Sequence, residues 1–360
     1  MAAVSDHPYF RPIDAFRLAD LEAVRLVLRG GSVIDWHRLN FASESEADEF
    51  IRAQEIDLSV PDDADRMEAI KHEAIAYLRR NFDFPVPRPV LELDLRGLLM
   101  LASGKGHRQL CACAILKAMH IIHHLEAREL LFMLPVSSQQ MFALVEEKVY
   151  RVVGSMMANG FPILEFTGGR KNKDSLYTKL LSKQETTAAS IYDKLRFRIV
   201  TRDKDDIFST LNYMLRHIFP FNYVIPGQST NTMFHFRSYC ERDAHLGSMF
   251  GDLQLSPDIE DELNRMDNRF SAKNFSIVHF VVDMPVRLPD SIRDQAKDAV
   301  RSLGPVIFVQ TEFQLIDRGT EQANELGEAS HQAYKERQKT AVRNRLKVGD
   351  ESLRDKRDTE

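Results

Sequence analysis

The segment FSIVHFVVDMPV, residues 275–286, is apolar at nearly every position. A strand with one wet face would alternate apolar and polar residues with period two. So uniformly apolar a run predicts an internal strand covered on both faces. The neighbouring sequence supplies the helices such a sheet needs. DKDDIFSTLNYMLRHIF, 203–219, reads as a helix whose acidic first turn suits the helix dipole. DSIRDQAKDAVRSLG, 290–304, reads as a capped helix ending at Gly304. Two further strands, SIYDKLRFRIVT (190–201) and VIFVQTEFQLI (306–316), complete an alternation of strand and helix that begins near NGFPILEFTGG, 159–169.

Upstream of that point the texture is helical. DAFRLADLEAVRLVL places Leu18, Leu21, Val24, Val27 and Leu28 on one stripe. DRMEAIKHEAIAYLRRNF, HRQLCACAILKAMHIIHHLEARELL and SSQQMFALVEEKVYRVVGSMM repeat the period, and FPVPRPV at 84–90 splits this half in two. The expected fold class is therefore α+β. A helical half, 1–158, precedes a mixed sheet flanked by helices, 159–340, and a charged tail, 341–360, frays beyond it.

A net charge of -5 over 360 residues argues against a protein that coats nucleic acid duplexes. Three cysteines form no even disulfide framework and suit a reducing compartment. The N-terminus lacks a signal-peptide pattern, and no uninterrupted apolar run approaches the roughly 20 residues that span a bilayer. These features lead us to expect a soluble, cytoplasmic protein.

Three patches carry candidate chemistry. On the strand 306–316, Ile307, Val309, Phe313 and Leu315 share one face, while Gln310, Glu312 and Gln314 share the other. A half-exposed strand would show the same pattern. In the following segment Gly327, His331 and Tyr334 recur at i, i+4 and i+7, which predicts one helical stripe. GGRKNKDSLYTKLLSK, 168–183, sets Arg170, Lys171, Lys173, Lys179 and Lys183 against the single acid Asp174. Clustered cations beside glycines suit a polyphosphate, although a solvated basic loop reads the same way and no Walker A pattern is present. Asp193 lies among apolar residues, so it needs a partner, a metal, or a strand that begins after it or bulges there.

The order and spacing of these patches resemble the synthetase domain of the RelA/SpoT family, over roughly residues 160–340. The family's Lys, Ser and Lys at four-residue intervals match Lys171, Ser175 and Lys179. Its Asp followed five residues on by Arg matches Asp193 and Arg198. Its Glu-x-Gln strand matches Glu312 and Gln314, and its Gly-x-Ala-x-His-x-x-Tyr-Lys segment matches Gly327, Ala329, His331, Tyr334 and Lys335. The resemblance implies a nucleotidyltransferase-like sheet and Mg²⁺-dependent transfer of pyrophosphate from ATP to the 3′-hydroxyl of a nucleotide acceptor, GDP or GTP. It implies that Asp193 and Glu312 hold the metal and that Glu312 and Gln314 act at the acceptor. Arg170, Lys171, Ser175, Lys179 and Arg198 would bind ATP, Tyr223 and Ser229 the acceptor, while His331, Tyr334 and Lys335 would brace the strand.

Two departures stand out. Gly169 occupies the position where the family's first segment opens with Arg, with Arg170 one step away. The family's acceptor loop, Gly-Tyr-x-Ser-x-His, is missing from FPFNYVIPGQSTNTMFHF, where Tyr223 or Phe234 is a candidate replacement ring. An acceptor such as the 3′ end of tRNA, or a catalytically idle nucleotide-binding regulatory module, are the alternatives. In the helical half, His120 and His124 stand at i, i+4 as in metal sites, without a His-Asp dipeptide or a complete ligand set. Cys111 and Cys113 make a poor metal pair.

Overall fold

The computed structural model describes residues 11–36, 38–182, 194–253, 263, 270–272 and 274–347. Five strands form one mixed sheet: β1 (Ile163–Arg170), β2 (Leu195–Thr201), β3 (Val224–Asn231), β4 (Val278–Arg287) and β5 (Val306–Asp317). Their spatial order is β1-β2-β5-β4-β3. β2 and β5 run parallel, and the other neighbouring pairs are antiparallel. The fold is α+β, and the all-apolar segment becomes β4, an internal strand.

One face of the sheet is a dry core. Phe166, Phe197, Phe313 and Phe280 line up across four strands, with successive ring centroids 5.8, 5.6 and 5.7 Å apart. Such cross-strand aromatic pairs fix register as well as burying area. The row needs a glycine beside it. A Cβ on Gly168 would lie 2.5 Å from the Tyr150 hydroxyl and 2.8 Å from the Phe197 ring. Tyr150 belongs to the helix Ser138–Ala158, which packs on β1, β4 and β5. The helix Leu18–Arg29 packs on β3, β4 and the helix Asp206–His217. Gly30, at φ 66°, ends Leu18–Arg29 in the left-handed conformation.

The hydrophobic cores divide the chain differently from residue 158. Val24, Val27, Val149 and Val153 join the core of the sheet. A second core, with Ile51, Ile70, Leu99, Ala112 and Ile115, is confined to residues 47–119. Arg287 at the end of β4 grips Asp63 of the second unit through two bonds of 2.7 and 3.0 Å, and Lys148 meets Glu55 at 2.5 Å.

The helix His107–Met133 bridges the two cores. By length and composition alone it is long and apolar enough to cross a bilayer. The reading from uninterrupted runs missed it because its histidines and other polar residues break the runs without lowering the mean hydropathy far enough. In this fold Cys111, Ile115 and Met119 enter the second core, and Ala127 and Leu130 enter the first.

Two helices expected whole are each broken. Residues 290–304 form two short pieces, Asp290–Arg293 and Lys297–Leu303. After β5 come Arg318–Asn324 and then His331–Leu346, the latter capped by the Ser330 hydroxyl, which accepts from Ala333 N. Gly327 therefore sits outside the helix of His331 and Tyr334, in a short turn at φ 60°. The Ser330 cap fixes a start that the i, i+4, i+7 count had overrun.

Candidate functional site

The opposite face of the sheet is polar at its centre. Strand alternation puts Glu312 and Gln314 of β5 on it, and the parallel register sets Arg196 beside Glu312 and Arg198 beside Gln314. On the other flank His279 of β4 pairs with Gln314 and Val281 with Glu312. Five polar residues of the centre thus come from three adjacent strands, with His279 the sole histidine among them. Glu312 is only 4% exposed. Its Oε1 accepts from Gln314 Nε2 at 2.6 Å and lies 3.3 Å from His279 Nε2. A carboxylate held at that depth by an amide and an imidazole is oriented rather than free to rotate.

The cations beside it are only partly engaged. Arg198 reaches Glu321 Oε1 at 3.3 Å through Nη2, while its buried Nε has no partner among the described residues. Arg196 is exposed. His331 lies within the field of both: burial lowers its pKa most, and the charges of Lys335, Arg196 and Arg198 lower it further. The N-terminal end of the last helix therefore sits near the same side of the sheet as Glu312.

The Lys171 segment lies against that last helix. The backbone of Lys171 donates to Lys194 O, extending the β1–β2 ladder, and Asn172 caps the helix Lys173–Ser182 by accepting from Ser175 N at 2.8 Å. Lys171, Ser175 and Lys179 are half-buried, and their helix packs along His331–Leu346. Tyr334 stands edge-on to Phe270 at 6.3 Å, and its hydroxyl accepts from Gln338 Nε2. Lys335 is exposed.

Three expected site residues are placed elsewhere. Arg170 shares the Phe166–Gly168 face by alternation and makes a two-pronged pair with Glu146, at 2.9 and 2.6 Å. The acid one helix away captures it on the far side of the sheet. Tyr223 is 2% exposed, its hydroxyl donating to Gln54 Oε1 at 3.1 Å and lying 3.0 Å from His123 Nδ1. It joins the helical half to the sheet and offers no free ring for a base. Ser229 pairs with Phe280, which puts it on the aromatic face. Phe234 is likewise buried, against Phe208 and Tyr239. Asp193 lies outside the described residues.

Arg196 and His279 were not singled out from the sequence. The signal for Arg196 was present: Arg196 and Arg198 have the same spacing as Glu312 and Gln314, and side by side in register they form one patch. His279 is one of three polar residues in a largely apolar stretch, but its meeting with Glu312 depends on strand order.

Among the described residues no group of three His, Cys, Asp or Glu is placed to hold a metal ion. His120 and His124 stand with rings 5.8 Å apart, but His120 meets Asn222 and His124 meets Asp283 at 2.8 Å, so their contacts diverge.

No family model and no curated protein matches the sequence. Among solved structures the chain is similar to small alarmone synthetase 1 from Bacillus subtilis, at 14% identity over 61% of this chain and 92% of that one, with a TM-score of 0.30. It is similar to the same synthetase bound to its product pppGpp, at 13% identity over 61% and 93%, with a TM-score of 0.30. A GTP pyrophosphokinase family protein from Streptococcus pneumoniae is similar at 14% identity over 60% and 88%, with a TM-score of 0.27.

Proposed function

We propose that the Glu312 face binds the triphosphate of ATP and supports transfer of its β,γ-pyrophosphate to the 3′-hydroxyl of a nucleotide acceptor. One observation carries this reading: a buried, oriented carboxylate stands in register with Arg196 on the adjacent strand, whose Arg198 lies two residues on along the same face. Guanidinium groups match phosphate oxygens in geometry and charge, and phosphoryl-type transfer depends chiefly on positioning and electrostatics. The motif spacing over residues 160–340 supports the same reading.

In this scheme Arg196 and Arg198 hold phosphate oxygens, with Lys171 contributing charge from the end of the β1–β2 ladder and Lys179 from the helix that follows it. Glu312 accepts the proton of the acceptor hydroxyl as its oxygen bonds to the β-phosphorus. The bond from that phosphorus to the bridging oxygen of the α-phosphate breaks, and AMP leaves. Gln314 and His279 hold the Glu312 carboxylate in place. The donor chemistry fits Mg²⁺, which takes one or two carboxylates and completes its shell with phosphate oxygens and water. Glu312, together with Asp193, would hold it, and it would neutralise charge on the transferred group.

Placement of Tyr223 and Ser229 away from this face favours a second reading, in which the face binds nucleotide without transferring it. Full-length protein incubated with Mg²⁺, ATP labelled in its β-phosphate, and GDP, GTP, ADP or bulk tRNA separates the two. Transfer is expected to at least one acceptor and to be lost in Glu312→Gln. ATP binding with no transfer to any acceptor selects the binding module.

A further inference from the structure

A cleft of about 710 Å³, counting solvent at its mouth, opens in the helical half beneath the turn Phe221–Tyr223. It is bounded by the turn Val33–Asp35 and by the helices Glu44–Ala53, Pro61–Phe82, Leu95–Ala102 and His107–Met133. Neither Glu312 nor its cationic neighbours line it. The walls are largely apolar, with an aromatic group at one side: Trp36 lies 4.0 Å from Phe221, and Phe221 lies 5.1 Å from Phe50.

Two polar atoms on lining residues are buried with no hydrogen-bond partner among the described residues: the indole Nε1 of Trp36 and the Oδ1 of Asn222. A buried polar atom without a partner is costly, so each is a place where a ligand gains by bonding. The other end of the Asn222 amide is committed to His120 Nδ1 at 3.2 Å. Burial and the neighbouring His124 and His123 push His120 down to about 3, so the imidazole is neutral near pH 7. Arg38 and Lys117 also line the cleft. The Arg38 guanidinium bonds to Asn40 Oδ1, a neutral acceptor, and no ion pair to it is found among the described residues.

We propose that this cleft is a binding site for a planar heteroaromatic ring with a donor and an acceptor on its edge and one anionic substituent. The ring packs among Trp36, Phe50 and Phe221. Trp36 Nε1 donates to the ring acceptor, Asn222 Oδ1 accepts from the ring donor, and Arg38 and Lys117 take the anion. Nucleoside monophosphates and heteroaromatic carboxylates share this chemistry.

Trp36 is the only tryptophan in the chain, so its emission reports on this cleft. The test titrates the full-length protein with AMP, GMP, nicotinate, nicotinamide and inorganic phosphate while following that emission. A saturable change is expected with a monophosphate or with nicotinate, and which of the two responds identifies the source. Nicotinamide and phosphate, each lacking half of the chemistry, are expected to bind about tenfold more weakly or not at all. Asn222→Leu and Lys117→Met are each expected to weaken the response about tenfold, and a melting curve of each variant checks that folding is intact. Arg196→Ala, on the sheet face, is expected to leave it unchanged. Absence of a saturable response to every anionic ring overturns the proposal, as does a response undiminished in Lys117→Met and lost in Arg196→Ala.

Discussion

Arg196 and Glu312 are register partners across the parallel β2–β5 pair, so a guanidinium and a buried carboxylate stand on one side of strands roughly 5 Å apart. The carboxylate is fixed by Gln314 and His279, whereas Arg196 is exposed toward whatever approaches. That asymmetry, an oriented acceptor beside an available cation, sets the chemistry proposed for the face.

Glu312→Gln keeps the size of the side chain and removes the charge. Transfer is expected to fall about 10²–10⁴-fold, the range for loss of a general base. Thermal unfolding should shift little, because an amide can still accept from Gln314. Radiolabel transfer and a melting curve on the same preparation check both halves.

Arg196→Ala removes an exposed side chain, so stability should change by no more than about 0.5 kcal/mol. Transfer should fall about 10–100-fold, with partial recovery in Arg196→Lys, which keeps charge but not the planar fork. His331 supplies a readout independent of activity. Its pKa is lowered first by burial and then by Lys335, Arg196 and Arg198. Removing Arg196 should raise it toward the ordinary histidine value, as followed by NMR titration of the imidazole. An unmoved His331 would place Arg196 away from this end of the last helix.

The alternation of VIFVQTEFQLI was enough to put Glu312 and Gln314 together and to separate them from Phe313. It could not say what faces them, because that depends on strand order, and β5 pairs with a strand more than a hundred residues earlier. Arg196 reaches the site through this long-range pairing, and His279 through the pairing of β4 with β5. Tyr223 shows the same dependence in reverse. Its hydroxyl meets His123 and Gln54, partners 100 and 169 residues away, which no local pattern reveals. The helical half was legible as helices, but Leu18–Arg29 and Ser138–Ala158 belong to the core of the sheet, because their stripes face β-strands rather than one another.

Gly168→Ala tests the aromatic row. The new methyl would meet the Tyr150 hydroxyl and the Phe197 ring inside contact distance. Overpacking of this kind costs about 1–3 kcal/mol. Adding Tyr150→Phe removes the nearer atom and should recover part of the loss, measured by chemical denaturation of both variants.

His120 and His123 make stability pH-dependent. Burial, the main cause in each, holds them at about 3 and about 4, below the ordinary value near 6.5. The unfolded chain therefore binds more protons than the folded one between these limits. Their contribution is fully present above pH 6.5 and is lost as pH falls toward 4. Between pH 6.5 and 5.5 the two together should lower unfolding free energy by about 2 kcal/mol. Denaturant titrations at the two pH values measure it, and His123→Gln should reduce the slope.

The most direct test of the nucleotide-binding face is a crystal structure of the full-length protein with Mg²⁺ and a non-hydrolysable ATP analogue. The triphosphate is expected within hydrogen-bonding distance of Arg196 and Arg198, on the side of the sheet that carries Glu312. An analogue bound on the phenylalanine face, or in the helical half with both arginines unengaged, would contradict the account.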